Sequence, residues 1–262
     1  MQITLVRHAT LLVDFADHRL LVDPMLSEAG AMDPVPNAAD DRRIPLVDLP
    51  LPAPDLLAGV DAILLTHLHR DHFDAAAVSL LPKHLPVLCQ PGDADRLREL
   101  SFAAVRPVSG AVEYAGVEFI RTDGKHGTGL IGQKMGTVSG FVLRATGEPV
   151  LYIAGDTVWC GHVREALEVF RPDVVVVNAG AAQFLTGSPI TMDVRDVARV
   201  CQAEPEAAVV AVHMGAVNHC LLTREALQAG LGSDIQVQIP ADGETLRFPG
   251  APKPSLGVSH RE

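Results

Sequence analysis

Apolar residues recur along the chain in short runs that fit β-strands: ITLV, TLLVDF and RLLVDP near the N-terminus, then AILLTH, VLC, VEFI, GFVLR, VLYIAGD, DVVVVNAG and AAVVAVH. The opening MQITLVRHATLLVDF alternates as a strand does, and AILL reads as a buried strand. Between these runs lie segments with helical spacing: FDAAAVSLL, DADRLREL, GHVREALEVF, TMDVRDVARVCQ and TREALQAG, with Asp74 and Thr223 placed as N-caps. The order is strand-rich first, then alternates strand with helix. It predicts an α/β protein built in layers, two sheets sandwiched between helices.

Residues 27–57 fit neither period. They hold six prolines and predict a long surface loop, either a passive excursion or a lid or wall over a site, with the passive reading favoured. The tail 249–262 is expected to fray. With no repeat at solenoid spacing and no low-complexity tract, the 262 residues are expected to form one domain, 1–262.

Composition narrows the function classes. A formal net charge of −11 without a Lys/Arg cluster repels a polyphosphate backbone, so nucleic acid is a poor substrate. Cys89, Cys160, Cys201 and Cys220 are scattered without CxxC spacing, which fits reduced thiols and gives no support for a cysteine-held zinc. The N-terminus lacks the regions of a signal peptide, and no apolar run approaches the roughly 20 residues that span a bilayer. The expectation is a cytoplasmic protein with a small-molecule substrate and no membrane insertion; a homo-oligomer stays open.

Thr66-His67-Leu68-His69-Arg70-Asp71-His72 follows AILL directly, at the carboxyl end of a predicted strand, where α/β sheets present ligands. His67 and His69 are one residue apart and point the same way in extended backbone. Asp71 and His72 follow as the chain turns towards FDAAAV. Imidazole nitrogen with carboxylate oxygen is the donor set of zinc, manganese or iron. An exposed turn of ordinary histidines is the bland alternative, which the added Asp–His pair and the preceding apolar strand outweigh. A working centre needs further donors at later strand ends, and three fit: His126 in TDGKHGTG, Asp156 in VLYIAGDT and His213 closing AAVVAVH.

HLHRDH followed by a later His, an Asp and a last His resembles the metallo-β-lactamase superfamily and its HxHxDH signature, over residues 67–213. The opening RHATLLVDFADHRLLVDP looks like that of a branch that includes ascorbate-6-phosphate lactonase and the N-acylphosphatidylethanolamine phospholipase D type. The resemblance implies an αββα four-layer sandwich with the site at one edge of the two sheets. It implies that His67, His69 and His126 hold a first metal, that Asp71, His72 and His213 hold a second, and that Asp156 bridges them. The cofactor would be two divalent ions, zinc first, with manganese or iron as alternatives. A hydroxide between the metals would be the nucleophile, Asp71 would orient it and take up a proton, and an ester, lactone or phosphodiester would be cleaved.

Other residues keep open roles. His219 could donate a proton to the leaving group, replace His213 or only pack, and Asn218 shares that ambiguity. His8 and Asp23 could support ligands from behind. His18, His84, His162 and His260 read as surface; Arg42, Arg43, Arg121 and Lys125 could meet an anionic substrate, Lys125 beside His126 best of the four, with a solvated cation the favoured reading. Gly127, Gly129, Gly132 and Gly136 read as loop-shaping, and Trp159 and Phe184 as candidate pocket lining. An iron-dependent redox enzyme on the same scaffold and a non-catalytic metal-binding or scaffold protein are the competing readings.

Overall fold

The computed structural model describes residues 1–250. The chain opens with strands Gln2–Arg7 (β1), Thr10–Phe15 (β2) and His18–Val22 (β3), and then, after a long excursion, forms a short helix Ala53–Leu57 (α1). Strand Ala62–Leu65 (β4), helix Ala75–Leu80 (α2), strand Pro86–Cys89 (β5), helix Ala94–Glu99 (α3) and strand Ala104–Pro107 (β6) complete the first half. The second half begins with strands Ala111–Tyr114 (β7) and Val117–Asp123 (β8), helix Gly129–Met135 (α4), and strands Ser139–Arg144 (β9) and Leu151–Ile153 (β10). Helix Gly161–Phe170 (α5), strand Val174–Asn178 (β11), helix Val194–Ala203 (α6), strand Ala208–Val212 (β12), helix Arg224–Leu231 (α7) and strand Thr245–Arg247 (β13) follow.

Among the described residues the strands form a seven-stranded sheet, β13-β1-β2-β3-β4-β5-β6, and a six-stranded sheet, β12-β11-β10-β9-β8-β7. Each is mixed: β3 to β6 run parallel in the first, and β10 to β12 run parallel in the second. The αββα expectation holds, and its cause is visible in β4. Ala62 and Leu64 face the other sheet while Ile63 and Leu65 face the helices, so both faces of the strand are covered and the run is apolar throughout. In the second sheet Val174 and Val176 of β11 join the inter-sheet core, and Val175 and Val177 pack under α5, α6 and α7.

Both anticipated caps form, with Asp74 accepting from the Ala77 N–H and Thr223 from the Ala226 N–H. The strands that the apolar runs did not announce, β6, β7 and β13, all lie at sheet edges. Their sequences AVRP, AVEY and TLR carry no covered second face and so no continuous apolar run.

The loop expectation for 27–57 needs correction at its end, where residues 53–57 are helical; Pro52 and Pro54 suit a first turn, whose N–H groups have no helical partner. Gly129 and Gly132 likewise belong to α4 rather than to a loop. The tail expected to fray lies, beyond residue 250, outside the described residues. Among the described residues no helix is long and apolar enough to cross a membrane.

Phe119, buried between the sheets, tests the inter-sheet core. Phe119→Ala is expected to lower unfolding free energy by about 3–5 kcal/mol, read by chemical denaturation.

Candidate metal centre

Strand ends of both sheets deliver polar side chains to one end of the sandwich. Asp23 follows β3, His67 to His72 follow β4, His126 follows β8, Asp156 follows β10 and His213 follows β12. All seven sequence-derived ligand candidates converge there. Three groups of donor atoms are close enough to hold a cation: His67 with His69 and His126; His67 with His72 and Asp156; and His8 with Asp71, His72 and His213. Every member is buried except half-buried His69.

Asp156 connects the groups. Its Oδ2 lies 3.2 Å from His72 Nε2, 3.4 Å from His126 Nε2 and 4.0 Å from His67 Nε2, while its Oδ1 lies 3.2 Å from His213 Nε2. Gly155 makes this approach feasible. It has φ +68°, and a Cβ there would stand 2.5 Å from the Ser139 carbonyl, so a side chain would displace the β9 backbone against which the turn sits.

The far side of the rings decides where their lone pairs point. His72 Nδ1–H donates to Asp23 Oδ2 at 2.8 Å, and His126 Nδ1–H donates to the Ile190 carbonyl at 2.9 Å. Each turns Nε2 towards the centre, where a cation would take the lone pair of the tautomer that a metal-ligating histidine uses. Several buried nitrogens and carboxylate oxygens facing one another repel unless a positive charge lies between them, so the donor set fits divalent cations. Asp23 also accepts the Thr66 N–H at 2.8 Å and the Thr66 hydroxyl at 2.6 Å. It lies behind the His72 ring and belongs to none of the three donor groups.

Burial and charge agree with that fit. Burial works to raise the Asp71 and Asp156 carboxyls, but the surrounding imidazoles outweigh it and hold both well below the usual carboxylate range. Burial pushes His67 well down and His126 down, leaving neutral rings. His72 is opposed by burial yet held well above its ordinary value by Asp156 and Asp23, so a cation taking its Nε2 displaces a proton. Burial lowers His8 to about 3 and His219 to about 4.

A cavity of about 380 Å³ opens onto the cluster. His69, Asp71, His126 and Asp156 line it on one side; Pro34, Val35, Pro36, Met135 and Phe184 supply apolar walls. His219 lines it too, in none of the cation-holding groups, with its ring 6.0 Å from that of Phe184. The excursion 27–57 is therefore not passive. Asn218 ties it down, accepting the Val35 N–H at 2.9 Å and donating to the Val35 carbonyl at 3.1 Å and the Asp40 carbonyl at 2.6 Å. Arg70 donates to the Pro34 carbonyl at 2.9 Å.

Other expectations resolve as follows. Phe184 lines the cavity, whereas Trp159 packs in the helix layer over the second sheet. His84, His162 and Lys125 are exposed, Arg42 and Arg43 pair with Asp40 and Asp33, Arg121 pairs with Asp123, and half-buried His18 lies near Asp61. His260 lies outside the described residues. Sequence reasoning missed Asn178, which ends β11 and donates to Asp156 Oδ1 at 2.6 Å. Its signal was a lone polar side chain closing VVVV, the same pattern that marked Asp156.

The family model of the beta-lactamase superfamily domain matches residues 18–214. The UPF0173 protein YddR of Bacillus subtilis (strain 168) is 38% identical over 256 residues, covering 95% of this chain and 100% of that protein. A UPF0173 metal-dependent hydrolase of Methylobacterium nodulans is 24% identical over 256 residues, covering 95% and 100%. Among solved structures, an isothiocyanate hydrolase from Delia radicum gut bacteria superposes with a TM-score of 0.89 at 39% identity, covering 96% of this chain and 100% of that one.

Asp23 generates a test that needs no substrate. Asp23→Ala leaves the Thr66 N–H, the Thr66 hydroxyl and His72 Nδ1–H without their acceptor. The expected loss is roughly 3 kcal/mol or more of stability, measured by denaturant unfolding of cation-free protein.

Proposed function

The chain belongs to the metallo-β-lactamase superfamily and is a metal-dependent hydrolase of that fold; on that premise we propose that it works with two divalent cations, zinc foremost, on a small uncharged electrophile. His67, His69 and His126 would hold one cation, Asp71, His72 and His213 the other, and Asp156 would serve both. The observation that carries this reading is the Asp156 carboxylate, which stands within 4.0 Å of ring nitrogens from both sets. When bound, the cations would lower the pKa of a water from 15.7 towards about 7 and polarise the carbon it attacks.

The chain's own groups then have distinct tasks. Asp71, ionised and lining the cavity, accepts the proton that the attacking water loses. His219, neutral because burial holds it at about 4, acts through a ring N–H on the departing atom rather than as an imidazolium. Pro34, Val35, Met135 and Phe184 exclude water from the bond being cleaved and contact the apolar part of the substrate.

Those walls choose among substrate classes. Arg70 is the cavity's guanidinium, and it already serves the Pro34 carbonyl. A phosphodiester or phosphorylated lactone would have the cations as its main partners, while an uncharged ester, lactone or isothiocyanate needs no further charge. The likeness to an isothiocyanate hydrolase supports including the N=C=S carbon, which like an ester carbonyl is an electrophile open to water. The ascorbate-6-phosphate lactonase likeness of the opening hairpin adds the phosphorylated lactone as the comparison substrate.

Zinc-loaded protein is expected to release amine from benzyl isothiocyanate, or acid from neutral esters or lactones, faster than it cleaves bis(p-nitrophenyl) phosphate. Preference for the phosphodiester would refute the substrate class. Plasma mass spectrometry should find about two metal equivalents per chain. Asp156→Ala is expected to lose at least one equivalent and nearly all turnover; two retained equivalents would end the shared-ligand role. His219→Ala should keep both cations and lose about 100-fold in kcat.

A further inference from the structure

His8 sits in the turn between β1 and β2, fully buried, with its backbone at φ +60°. That left-handed conformation is uncommon outside glycine, and histidine enters it more readily than most other residues. Its ring lies over that of His213, with centroids 3.6 Å apart and planes 36° from parallel. Its carbonyl accepts the His213 N–H at 2.8 Å. Its Nε2 is 3.3 Å from Asp71 Oδ2. Its Nδ1 is buried and has no hydrogen-bond partner among the described residues.

We propose that His8 is a positioning residue for the second cation, donating its Nε2–H to Asp71 and carrying the His213 ring, without being a ligand itself. The inference rests on the two-cation reading above.

The unpartnered Nδ1 separates the two roles available to this ring. A ligating His8 would turn its Nε2 lone pair to the cation and keep its proton on Nδ1, a buried N–H with nothing to receive it. His72 and His126, in contrast, hand that proton to Asp23 and to the Ile190 carbonyl. With the proton on Nε2, the one hydrogen available goes to a carboxylate, and only a weaker requirement, an acceptor lone pair, goes unmet. The neighbours of His8 also come from different sheets: Asp71 follows β4 of the first and His213 follows β12 of the second. A ring touching both fixes the distance between two donors that no backbone ladder connects.

The test uses full-length protein with 15N-labelled histidine, the His8 signals being identified by their absence in His8→Gln. Expected in zinc-loaded wild type is a protonated Nε2 and an unprotonated Nδ1; a protonated Nδ1 with a metal-shifted Nε2 would make His8 a ligand and overturn the proposal. Zinc titration adds a second readout. His8→Phe keeps a ring over His213 but loses the donor, and should weaken the second zinc by about 10–100-fold while leaving the first unchanged. His8→Gln, which restores an N–H near the same place, should recover most of that loss. Wild-type affinity in His8→Phe, or equal weakening of both zincs in both variants, refutes the role. A wild type that takes up one zinc refutes the two-cation reading instead, and the nitrogen spectrum still decides where the His8 proton lies.

Discussion

The Asp23 carboxylate accepts the Thr66 amide, the Thr66 hydroxyl and the Nδ1–H of His72, all inside the protein. One buried charge thereby anchors the turn that follows β4 and sets the tautomer of a ring in that turn. Asp23 itself follows β3, which pairs in parallel with β4, so the sheet supplies the anchor and the anchor aims the donor. Hydrogen bonds to an ionised group are among the stronger ones in proteins, and losing this acceptor would strand three donors away from water. The remaining centre follows the same logic, with Asn178 holding Asp156 and the Ile190 carbonyl holding His126.

Much of this is legible in the sequence alone. HLHRDH after AILL, His126 in a glycine-rich loop, Asp156 after VLYIAG and His213 after AAVVAV each join a titratable group to the end of an apolar run. That signal is strong because a strand covered on both faces cannot tolerate charge inside, so charge at its end stands out. The same logic recovered the layers, since helices with clear caps alternate with runs of uniform apolarity.

What the sequence concealed depends on contacts between distant segments. Asn178 looked like the polar end of a valine run, and only the pairing of β10 with β11 puts it beside Asp156. The sequence allows His8 a supporting role without naming its partner, and only the meeting of two sheets lays it across His213. Edge strands β6, β7 and β13 escaped because half of each faces solvent, and the prolines of residues 27–57 masked a segment with a definite position. Local pattern records burial; it does not record which buried group is whose neighbour.

The apolar wall formed by Pro34, Val35 and Pro36 belongs to a segment outside both sheets, joined to the centre by the side chains of Asn218 and Arg70. The groups that assemble the chemistry and the groups that shape the space for a substrate are carried by separate stretches of chain, which meet where Ile44 packs on Ala216 and Val217 and the Leu46 N–H donates to the Ala216 carbonyl at 2.7 Å. The stretch is thereby held against the turn that follows β12, which carries His213. A wall anchored in this way keeps its side of the cavity in register with the strand ends, so the reach of the cavity is set by packing as much as by the donors.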